Sequence, residues 1–349
     1  MSRTIDEWVE EARGALLQCL ASEHALIHPT ELTARLSERY FQTDGTHFNY
    51  HPHVVGLAAQ ELIASGDVVQ DQSGSTPNRH VATISLAQPA PGAQGVINKA
   101  KARKRRLFNR YLTWASGAGP GRPGTFGPAG EQATREALGP RITEIDRRNV
   151  LGVTLAGALD IAGFMVPIDE QGMPGQAVTV MVEVKNVRNF IYPEYEEVWQ
   201  LMNKAIAVSV ARPNQPVLPI LVCRRAHEST IWMAKQLGFM VVETKAQFAG
   251  NVDQGELDEV RNELHFTDLK AGHAANNYMK KQLYETAPRI APTYSSTWAQ
   301  TLADPVVLGH LQQAVGRVLG QVAADCLDFG RYLHIEVSPR LGLELEGVQ

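Results

Sequence analysis

The feature that most constrains the fold of this chain is a regular alternation of helix-like and strand-like segments between residues 131 and 250. Helical patterns occur at 131–138, 193–211 and 229–238, and apolar strand patterns occur at 150–166, 176–187, 216–225 and 239–245. Strands that alternate with helices pair in parallel within one sheet and pack the helices against its faces. The sequence therefore predicts an α/β core in this region.

Size and composition exclude several other classes of protein. The chain has 349 residues, 44% of them hydrophobic and 20% charged, which is typical of a globular protein with two or three domains. No apolar run approaches the roughly 18 residues needed to cross a bilayer, so we expect no membrane association. The start of the chain is acidic and helical, unlike a secretory signal. Cys19, Cys223 and Cys326 are odd in number and far apart, which favours a reducing, cytoplasmic location.

Composition and pattern divide the chain into four predicted parts. Residues 1–88 form one compact unit, 89–130 a basic helix and a Gly/Pro-rich linker, 131–250 the α/β core, and 251–349 a mainly helical region. The last region contains an apolar stripe that we expect to pack either on the core or against a second subunit, formed by Val306, Leu308, Leu311, Val315, Val318 and Leu319.

Residues 1–88 contain three helical patterns followed by two strand-like runs with a turn-rich segment between them. This order resembles the winged helix-turn-helix domains. The resemblance implies that the third helix enters the major groove and that the hairpin touches the DNA backbone. His51 and His53 on the third helix, and Arg79 on the wing, are then candidate DNA contacts. The alternative is a winged helix that contacts only proteins.

A strongly basic segment follows this unit. Residues 72–130 contain nine basic residues and no Asp or Glu, although the whole chain has a net charge of −4. With no acidic residue in the segment to balance them, we expect these bases to neutralise the phosphates of a polyanion rather than to form a solvated helix face. The candidates on the basic helix are Lys99, Lys101, Arg103, Lys104, Arg105, Arg106 and Arg110. Arg188, at a predicted strand end, is a further candidate, with surface solubility as its alternative role.

Two acidic residues interrupt the apolar strand patterns. Asp160 ends one apolar run, and Glu183 lies inside the next. Alternation along a strand places Glu183 and Lys185 on one face. Two carboxylates on neighbouring strands offer hard oxygen ligands to Mg²⁺, and a nearby ammonium can orient water or offset developing charge. This pattern indicates a hydrolytic site. The alternative is an ion pair between Glu183 and Lys185 on an edge strand, with Asp160 at the start of a turn.

Asp160, followed 23 residues later by Glu183-Val184-Lys185, resembles the motif of the PD-(D/E)xK nuclease superfamily over about residues 125–250. The resemblance implies a restriction-endonuclease-like core, with a mixed central sheet flanked by helices. It implies that Asp160 and Glu183 bind Mg²⁺, for which Mn²⁺ can substitute, and that Lys185 acts on the attacking water. It also implies supporting roles for Glu131 and Gln200, with Glu136 as the competitor of Glu131.

Together these resemblances predict a Mg²⁺-dependent endonuclease that cleaves duplex DNA, with a role in restriction or defence. A homodimer would suit cleavage of both strands. One alternative is a DNA-binding regulator with a degenerate, non-catalytic nuclease fold. Another is a nuclease that selects branched or single-stranded nucleic acid.

Overall fold

The structure, a computed structural model, describes residues 4–38, 41–43, 46–48, 50–73, 81–117, 121, 123–169 and 171–320. Of the residues discussed above, Arg79, Val318, Leu319 and Cys326 have side chains that lie outside this description. The chain divides into two compact units. Unit 1 comprises residues 1–125 and 249–272, and unit 2 comprises 126–248 and 273–349. This division differs from the predicted one, because both the basic helix and the segment 249–272 belong with the N-terminal residues.

Unit 1 begins with a helical part followed by a hairpin. In chain order its first elements are α1 (Ile5–Glu23), β1 (Leu26–His28), α2 (Thr30–Leu36), β2 (Phe41–Thr43), β3 (Thr46–Phe48), α3 (Pro52–Ala64), β4 (Val68–Ser73), β5 (Val81–Leu86) and α4 (Gln94–Ser116). Thr4 and Glu7 form a capping box at the start of α1, and Pro52 occupies the first turn of α3. Strands β1, β5 and β4 form a three-stranded antiparallel sheet in that order.

Helices α1, α2 and α3 pack on one another and on this sheet around a common apolar core. Leu16, Leu36, Leu62 and Ile84 are completely buried in it. Val9, Leu16 and Leu20 of α1 and Val55 and Leu62 of α3 face this core, since apolar side chains at helical spacing form one stripe. The amphipathic pattern of residues 1–88 is therefore accounted for within unit 1.

The next elements along the chain belong to unit 2, which the last helices of the described chain complete. They are α5 (Phe126–Leu138), β6 (Ile142–Glu144), β7 (Asn149–Val150), β8 (Val153–Thr154), β9 (Ile161–Met165), β10 (Val178–Lys185), α6 (Glu196–Ala211), β11 (Val217–Cys223), α7 (Glu228–Leu237), β12 (Met240–Glu243) and β13 (Gln247–Phe248). Then α8 (Gln254–Glu263) and β14 (Leu269–Lys270) return to unit 1. Finally α9 (Asn277–Lys280), α10 (Ala287–Ala303) and α11 (Pro305–Gly320) complete unit 2.

Unit 2 is built on a five-stranded sheet in the order β12-β11-β10-β9-β6. The pairs β10–β11 and β11–β12 are parallel, and the pairs β9–β10 and β6–β9 are antiparallel. Helix α5 packs on one face of the sheet, and α6, α7 and α11 pack on the other. The predicted α/β class, with a mixed central sheet flanked by helices, is confirmed.

The apolar stripe of α11 packs on unit 2, as one of the two predicted alternatives had it. Leu311 and Val315 are buried in the core that includes α6, whereas Val306 is 46% exposed and Val307 takes its place. At the start of α11 the buried residue is therefore Val307 and not the predicted Val306. Asp304 accepts hydrogen bonds from the N–H groups of Val306 and Val307, which fixes the orientation of the first helical turn. Among the described residues, no helix combines the length and the apolar character needed to span a membrane.

Candidate functional site

Strand β10 divides its side chains between the two faces of the central sheet. Val182 and Val184 join the core on the α5 face, whereas Met181 joins the core on the α6 face. Because side chains alternate along a strand, Glu183 and Lys185 belong to the α6 face. The predicted alternation is confirmed. The edge-strand alternative is wrong, because β10 lies between β9 and β11 and Glu183 pairs with a lysine from another element.

Asp160 lies directly before β9, at a position that the strand register brings opposite Glu183. The last paired residues of β9 and β10 are Ile161 and Val182, so the next pair outward is Asp160 and Glu183. The backbone N–H of Asp160 donates to the carbonyl of Val182 at 3.2 Å, and the N–H of Val184 donates to Asp160 Oδ2 at 2.6 Å. The carboxyl groups of Asp160 and Glu183 lie within hydrogen-bonding reach of each other. The two predicted ligands therefore do converge.

Glu183 is almost completely buried, with 3% of its surface exposed. Burial, reinforced by the adjacent carboxylate of Asp160 and opposed by the ammonium of Lys204, raises the pKa of Glu183 to about 7. A second carboxylate beside a buried one always has this effect, because two like charges in a poorly solvated place repel each other. We call these two residues the carboxylate pair; its negative charge favours the binding of a cation or a proton.

Lys204 is a member of the site that the sequence reasoning missed. Its Nζ contacts Glu183 Oε1 and donates to the carbonyl oxygen of Ala158 at 2.8 Å, and its side chain is 10% exposed. Lys204 is carried by α6, one helical turn after Gln200. That spacing is the signal that could have revealed it, since residues four apart share a helix face and Gln200 was already assigned to the site.

Lys185 ends β10 and is half-buried. Within the part of the chain that the structure describes, its ammonium makes no ion pair or hydrogen bond, in contrast to Lys204. A lysine two residues from a buried carboxylate, on the same strand face and without an internal partner, is available to a ligand or to water. The geometry is thus compatible with the role that the resemblance implies for Lys185.

Gln200 lies on the α6 side of the sheet but is directed along its own helix. Its Nε2 donates to Glu196 Oε1 at 2.8 Å. Glu196 precedes Gln200 by four residues, so the two side chains meet on one helix face. In this structure the side chain of Gln200 is bonded to Glu196 and not to the carboxylate pair.

Glu131 reaches the neighbourhood of Asp160 through two arginines. Glu131 Oε2 is 3.4 Å from Arg135 and 3.8 Å from Arg147, and both guanidinium groups donate to the main-chain carbonyl of Asp160. Glu131 is carried by α5, which packs on the sheet face opposite to Glu183. Its carboxylate therefore orients two cations beside Asp160, and it does not join the carboxylate pair.

Glu136, the competitor of Glu131, is engaged elsewhere on α5. Its carboxylate lies 2.8 Å from Lys280 Nζ and accepts from the N–H of Ala275 at 3.1 Å. The hydrogen bond from Lys280 holds the pKa of Glu136 below its ordinary value. Of the two candidates, only Glu131 shares partners with Asp160.

The donor set of the carboxylate pair fits a hard divalent cation with few protein ligands. Within the described ranges, no group of three or more His, Cys, Asp or Glu side chains could hold a metal ion. Zinc and copper sites built from several His or Cys ligands are therefore not present there. Mg²⁺ retains several waters and is bound by one or two carboxylates together with substrate phosphates, which is what Asp160 and Glu183 can provide.

The basic helix α4 is neutralised within unit 1 by acidic residues that are distant in sequence. Lys101 and Lys104 are buried, with 9% and 4% of their side chains exposed. The ion pairs and their shortest N···O distances are Lys101–Asp71 (2.9 Å), Arg103–Glu263 (2.7 Å), Lys104–Glu31 (2.5 Å), Arg105–Asp71 (3.9 Å), Arg106–Glu259 (3.9 Å) and Arg110–Glu259 (2.9 Å). The expectation that nothing balances these charges is wrong. Lys99 is exposed and has no ion-pair partner in the described part of the chain.

The other predicted DNA contacts differ in accessibility. His51 and His53 are exposed at the start of α3, where their rings stack at 5.5 Å. Arg188 is only 5% exposed, and its guanidinium lies 3.5 Å from Gln247 Oε1. The expectation that Arg188 lies at a surface is therefore wrong, because the segment after β10 is bonded to neighbouring segments through Gln247, Phe248 and Arg224.

Comparisons with known proteins give little further guidance. The sequence matches no protein-family model, and no curated protein matches it. One solved structure that it resembles is described as the crystal structure of a repair endonuclease from Pyrococcus abyssi. The sequence identity is 11%, the TM-score is 0.22, and the alignment covers 51% of this chain and 62% of that chain. A likeness at this identity and TM-score assigns no function to this chain.

Proposed function

We propose that unit 2 is a metal-dependent nuclease that hydrolyses the phosphodiester bonds of DNA. The observation that carries the proposal is the carboxylate pair, in which one half-buried and one buried carboxylate from adjacent strands lie side by side next to two lysines. Burial, reinforced by the neighbouring carboxylate, raises the pKa of Glu183 at a cost in stability, and perturbed carboxyl groups of this kind cluster at functional sites.

In this proposal Asp160 and Glu183 hold a Mg²⁺ or Mn²⁺ ion. The bound ion would supply positive charge that stabilises the phosphate oxygens in the transition state and makes attacking water more acidic. Asp160 is held ready by its two main-chain hydrogen bonds to β10, so its carboxylate needs little reorganisation. Lys185 orients the attacking water and offsets negative charge on the phosphate.

Glu131 and Gln200 have more distant roles in this proposal. Glu131 acts through Arg135 and Arg147, whose side chains are 32% and 46% exposed and whose guanidinium groups are suited to bind a neighbouring phosphate. Gln200 supports the α6 side of the site. Unit 1 holds duplex DNA through α3, as the resemblance to winged helices implies, and through the exposed bases of α4, which can neutralise phosphates.

The decisive experiment is plasmid cleavage by the Lys185→Ala variant. We expect its cleavage rate in Mg²⁺ to fall at least about 100-fold, while its DNA binding in a gel-shift assay stays unchanged. Wild-type cleavage should stop in chelator and return with Mg²⁺ or Mn²⁺. The control is Lys235→Ala, which removes the same charge from an exposed position on α7. A Lys185→Ala variant that cuts as fast as the wild type would refute the site assignment.

A second candidate function is a DNA-binding regulator whose α/β unit does not catalyse hydrolysis. The contact of Lys204 with Glu183 favours it, because an internal cation already occupies one oxygen of the carboxylate pair. This candidate predicts that the wild type shifts DNA in a gel but never cuts duplex, single-stranded or branched substrates. Cleavage of only the branched or single-stranded substrates would instead indicate a structure-selective nuclease.

The proposed biological setting is restriction or defence, and it is supported by the sequence resemblance alone. The test is digestion of plasmids that carry different base modifications, followed by mapping of the ends. Selective cutting of one modification state would support this setting, and equal cutting of all substrates would contradict it.

A further inference from the structure

Lys204 stands in an unusual position for a lysine of a metal site. Its ammonium contacts the same carboxylate that the proposed function assigns to the metal, and it does so through Glu183 Oε1. A second bond, to the carbonyl oxygen of Ala158 at 2.8 Å, anchors the ammonium beside the loop that leads to Asp160. Two independent acceptors thus hold Lys204 at the carboxylate pair.

The charges around the carboxylate pair show why a cation is held there. Asp160 and Glu183 place two acidic groups side by side in a largely dehydrated location, which is costly unless positive charge lies close by. Arg135 and Arg147 donate to the main-chain carbonyl of Asp160, and no bond from either to its carboxylate is present among the described residues. Within that same set of residues, Lys204 is the cation that is bonded directly to a carboxylate oxygen of the pair.

We propose that Lys204 is an internal counter-ion of the carboxylate pair, which occupies Glu183 in the metal-free protein and has to be displaced when a divalent cation binds. This inference rests on the proposed function and adds to it a device that sets metal affinity. Lysine suits the role, because an ammonium on a flexible four-carbon stem can withdraw without any movement of the backbone. By contrast, Lys185 has no bond to the pair and is free to act on water.

Removal of the Lys204 charge should therefore strengthen metal binding. The experiment measures Mn²⁺ affinity of the full-length chain by electron paramagnetic resonance of free Mn²⁺, at mildly alkaline pH so that protons compete little. We expect Lys204→Met to bind Mn²⁺ about tenfold more tightly than the wild type. Lys204→Arg, which restores a cation at the same place, should return the affinity toward the wild-type value.

Two control variants separate this effect from general electrostatics. Lys235→Met removes the same charge from an exposed position of unit 2 and should change Mn²⁺ affinity by less than about twofold. Asp160→Asn removes one proposed ligand and should abolish the high-affinity binding in both the wild-type and the Lys204→Met background.

The possible outcomes distinguish the two proposals. Equal Mn²⁺ affinity of the wild type and Lys204→Met, with binding still lost in Asp160→Asn, would overturn the role of Lys204 and leave the proposed function standing. Weaker binding by Lys204→Met would also overturn it, since Lys204 would then position Glu183 for the metal. Absence of Mn²⁺ binding in every variant would overturn the proposed metal site itself, and with it the role of Lys204.

A measurement on the wild-type chain remains informative if Lys204→Met does not fold. Lys204 is only 10% exposed and bonded to two oxygens, so an amine-specific acylating reagent should label it slowly in the absence of metal. Mn²⁺ should increase the labelling of Lys204, as measured by peptide mass spectrometry, and leave the labelling of Lys235 unchanged. No change in the labelling of Lys204 at saturating Mn²⁺ would contradict the displacement.

Discussion

The basic helix α4 of unit 1 and the carboxylate pair of unit 2 both gather charge of one sign, and they differ in how that charge is balanced. On α4, buried Lys104 reaches Glu31 and Glu23, and Arg110 reaches Glu256 and Glu259. At the carboxylate pair, Glu183 is the one carboxylate that Lys204 contacts among the described residues, and its other bond is to the main-chain carbonyl of Ala158. This difference in balance affects the pKa values of Glu23 and Glu183 in opposite directions. Burial tends to raise the pKa of Glu23, but Lys104 and Arg35 more than offset it, so the pKa of Glu23 is lowered. At Glu183 burial and Asp160 outweigh Lys204, so the pKa of Glu183 is raised to about 7.

This difference separates charge that holds a fold together from charge that can bind something. An ion pair whose members satisfy each other has little electrostatic potential left for a ligand. A site in which two like charges are pressed together gains free energy when a counter-ion or a proton arrives. We therefore expect substitutions on α4 to act mainly on stability and substitutions at the carboxylate pair to act mainly on binding.

The largest expected effect tests the structural character of α4 by comparing two lysines on the same helix. Lys104→Met should lower the free energy of unfolding of unit 1 by about 3 kcal/mol or more, because it leaves the completely buried Glu31 with only Arg35 as its cation. Lys99→Met changes the same side chain at an exposed position and should cost about 0.5 kcal/mol or less. Urea denaturation followed by circular dichroism measures both values. If Lys104→Met and Lys99→Met lowered the free energy of unfolding equally, the ion pairs of α4 would not stabilise unit 1.

The next effect tests whether ionisation of the carboxylate pair destabilises the fold. The free energy of unfolding is compared at different pH values in the presence of chelator. Burial and the neighbouring Asp160 raise the pKa of Glu183 from 4.5 to about 7 in the folded chain, so folding favours the protonated form of Glu183 over its ionised form. The stability that the chain gains from protonated Glu183 is fully present below about pH 4.5 and is lost as the pH rises through about 7. Glu183→Gln cannot ionise and should be more stable than the wild type by about 2–3 kcal/mol at about pH 8, with no advantage at about pH 4.

Thermal unfolding of both proteins across this pH range measures the difference. The control is Glu196→Gln, which changes an exposed carboxylate of the same unit and should show no such trend. If the stability of Glu183→Gln relative to the wild type did not rise with pH, ionisation of Glu183 would not destabilise the fold, and the prediction would be wrong.

The sequence was sufficient for the parts of the site that depend on local periodicity. Alternation along β10 places Glu183 and Lys185 on one face, and the pattern also predicts a strand next to it. Both features follow from the period of two residues that any strand must have. The α/β class was also predictable, because strand patterns and helix patterns alternate along the sequence between residues 131 and 250. The expectation that Asp160 ends an apolar strand is wrong, because β9 begins directly after it, at Ile161.

The parts that failed depend on partners that packing chooses from distant segments. The balancing acids of α4 lie at Glu23, Glu31, Asp71 and on α8, and none of them is inside the acid-free segment that suggested unpaired charge. Lys204 was missed although it lies four residues after Gln200, because its contact with Glu183 also depends on how α6 packs on the sheet. The supporting roles of Gln200 and Glu131 stay predictions, because Gln200 bonds to Glu196 and Glu131 contacts two arginines rather than the carboxylate pair.

The smallest expected effect concerns the basic residues of α4 that have no acidic partner and can still bind DNA. Each cation that neutralises a phosphate adds about one to the slope of log affinity against log salt concentration. Lys99, which is exposed and has no ion-pair partner in the described part of the chain, should lower this slope by about one when replaced by Ala, with a loss of a few-fold in affinity. The measurement is fluorescence anisotropy of a labelled duplex over a range of NaCl concentrations.

Lys101 provides the matched control on the same helix, because its ammonium is buried and bonded to Asp71 at 2.9 Å. Lys101→Ala should leave the salt slope unchanged, since an ammonium that already has a carboxylate partner releases no counter-ion from DNA. If Lys101→Ala lowered the slope as much as Lys99→Ala, the ion pairs of α4 would have to open on DNA. The basic helix would then resemble the carboxylate pair, as a charged site with an internal partner that a ligand displaces.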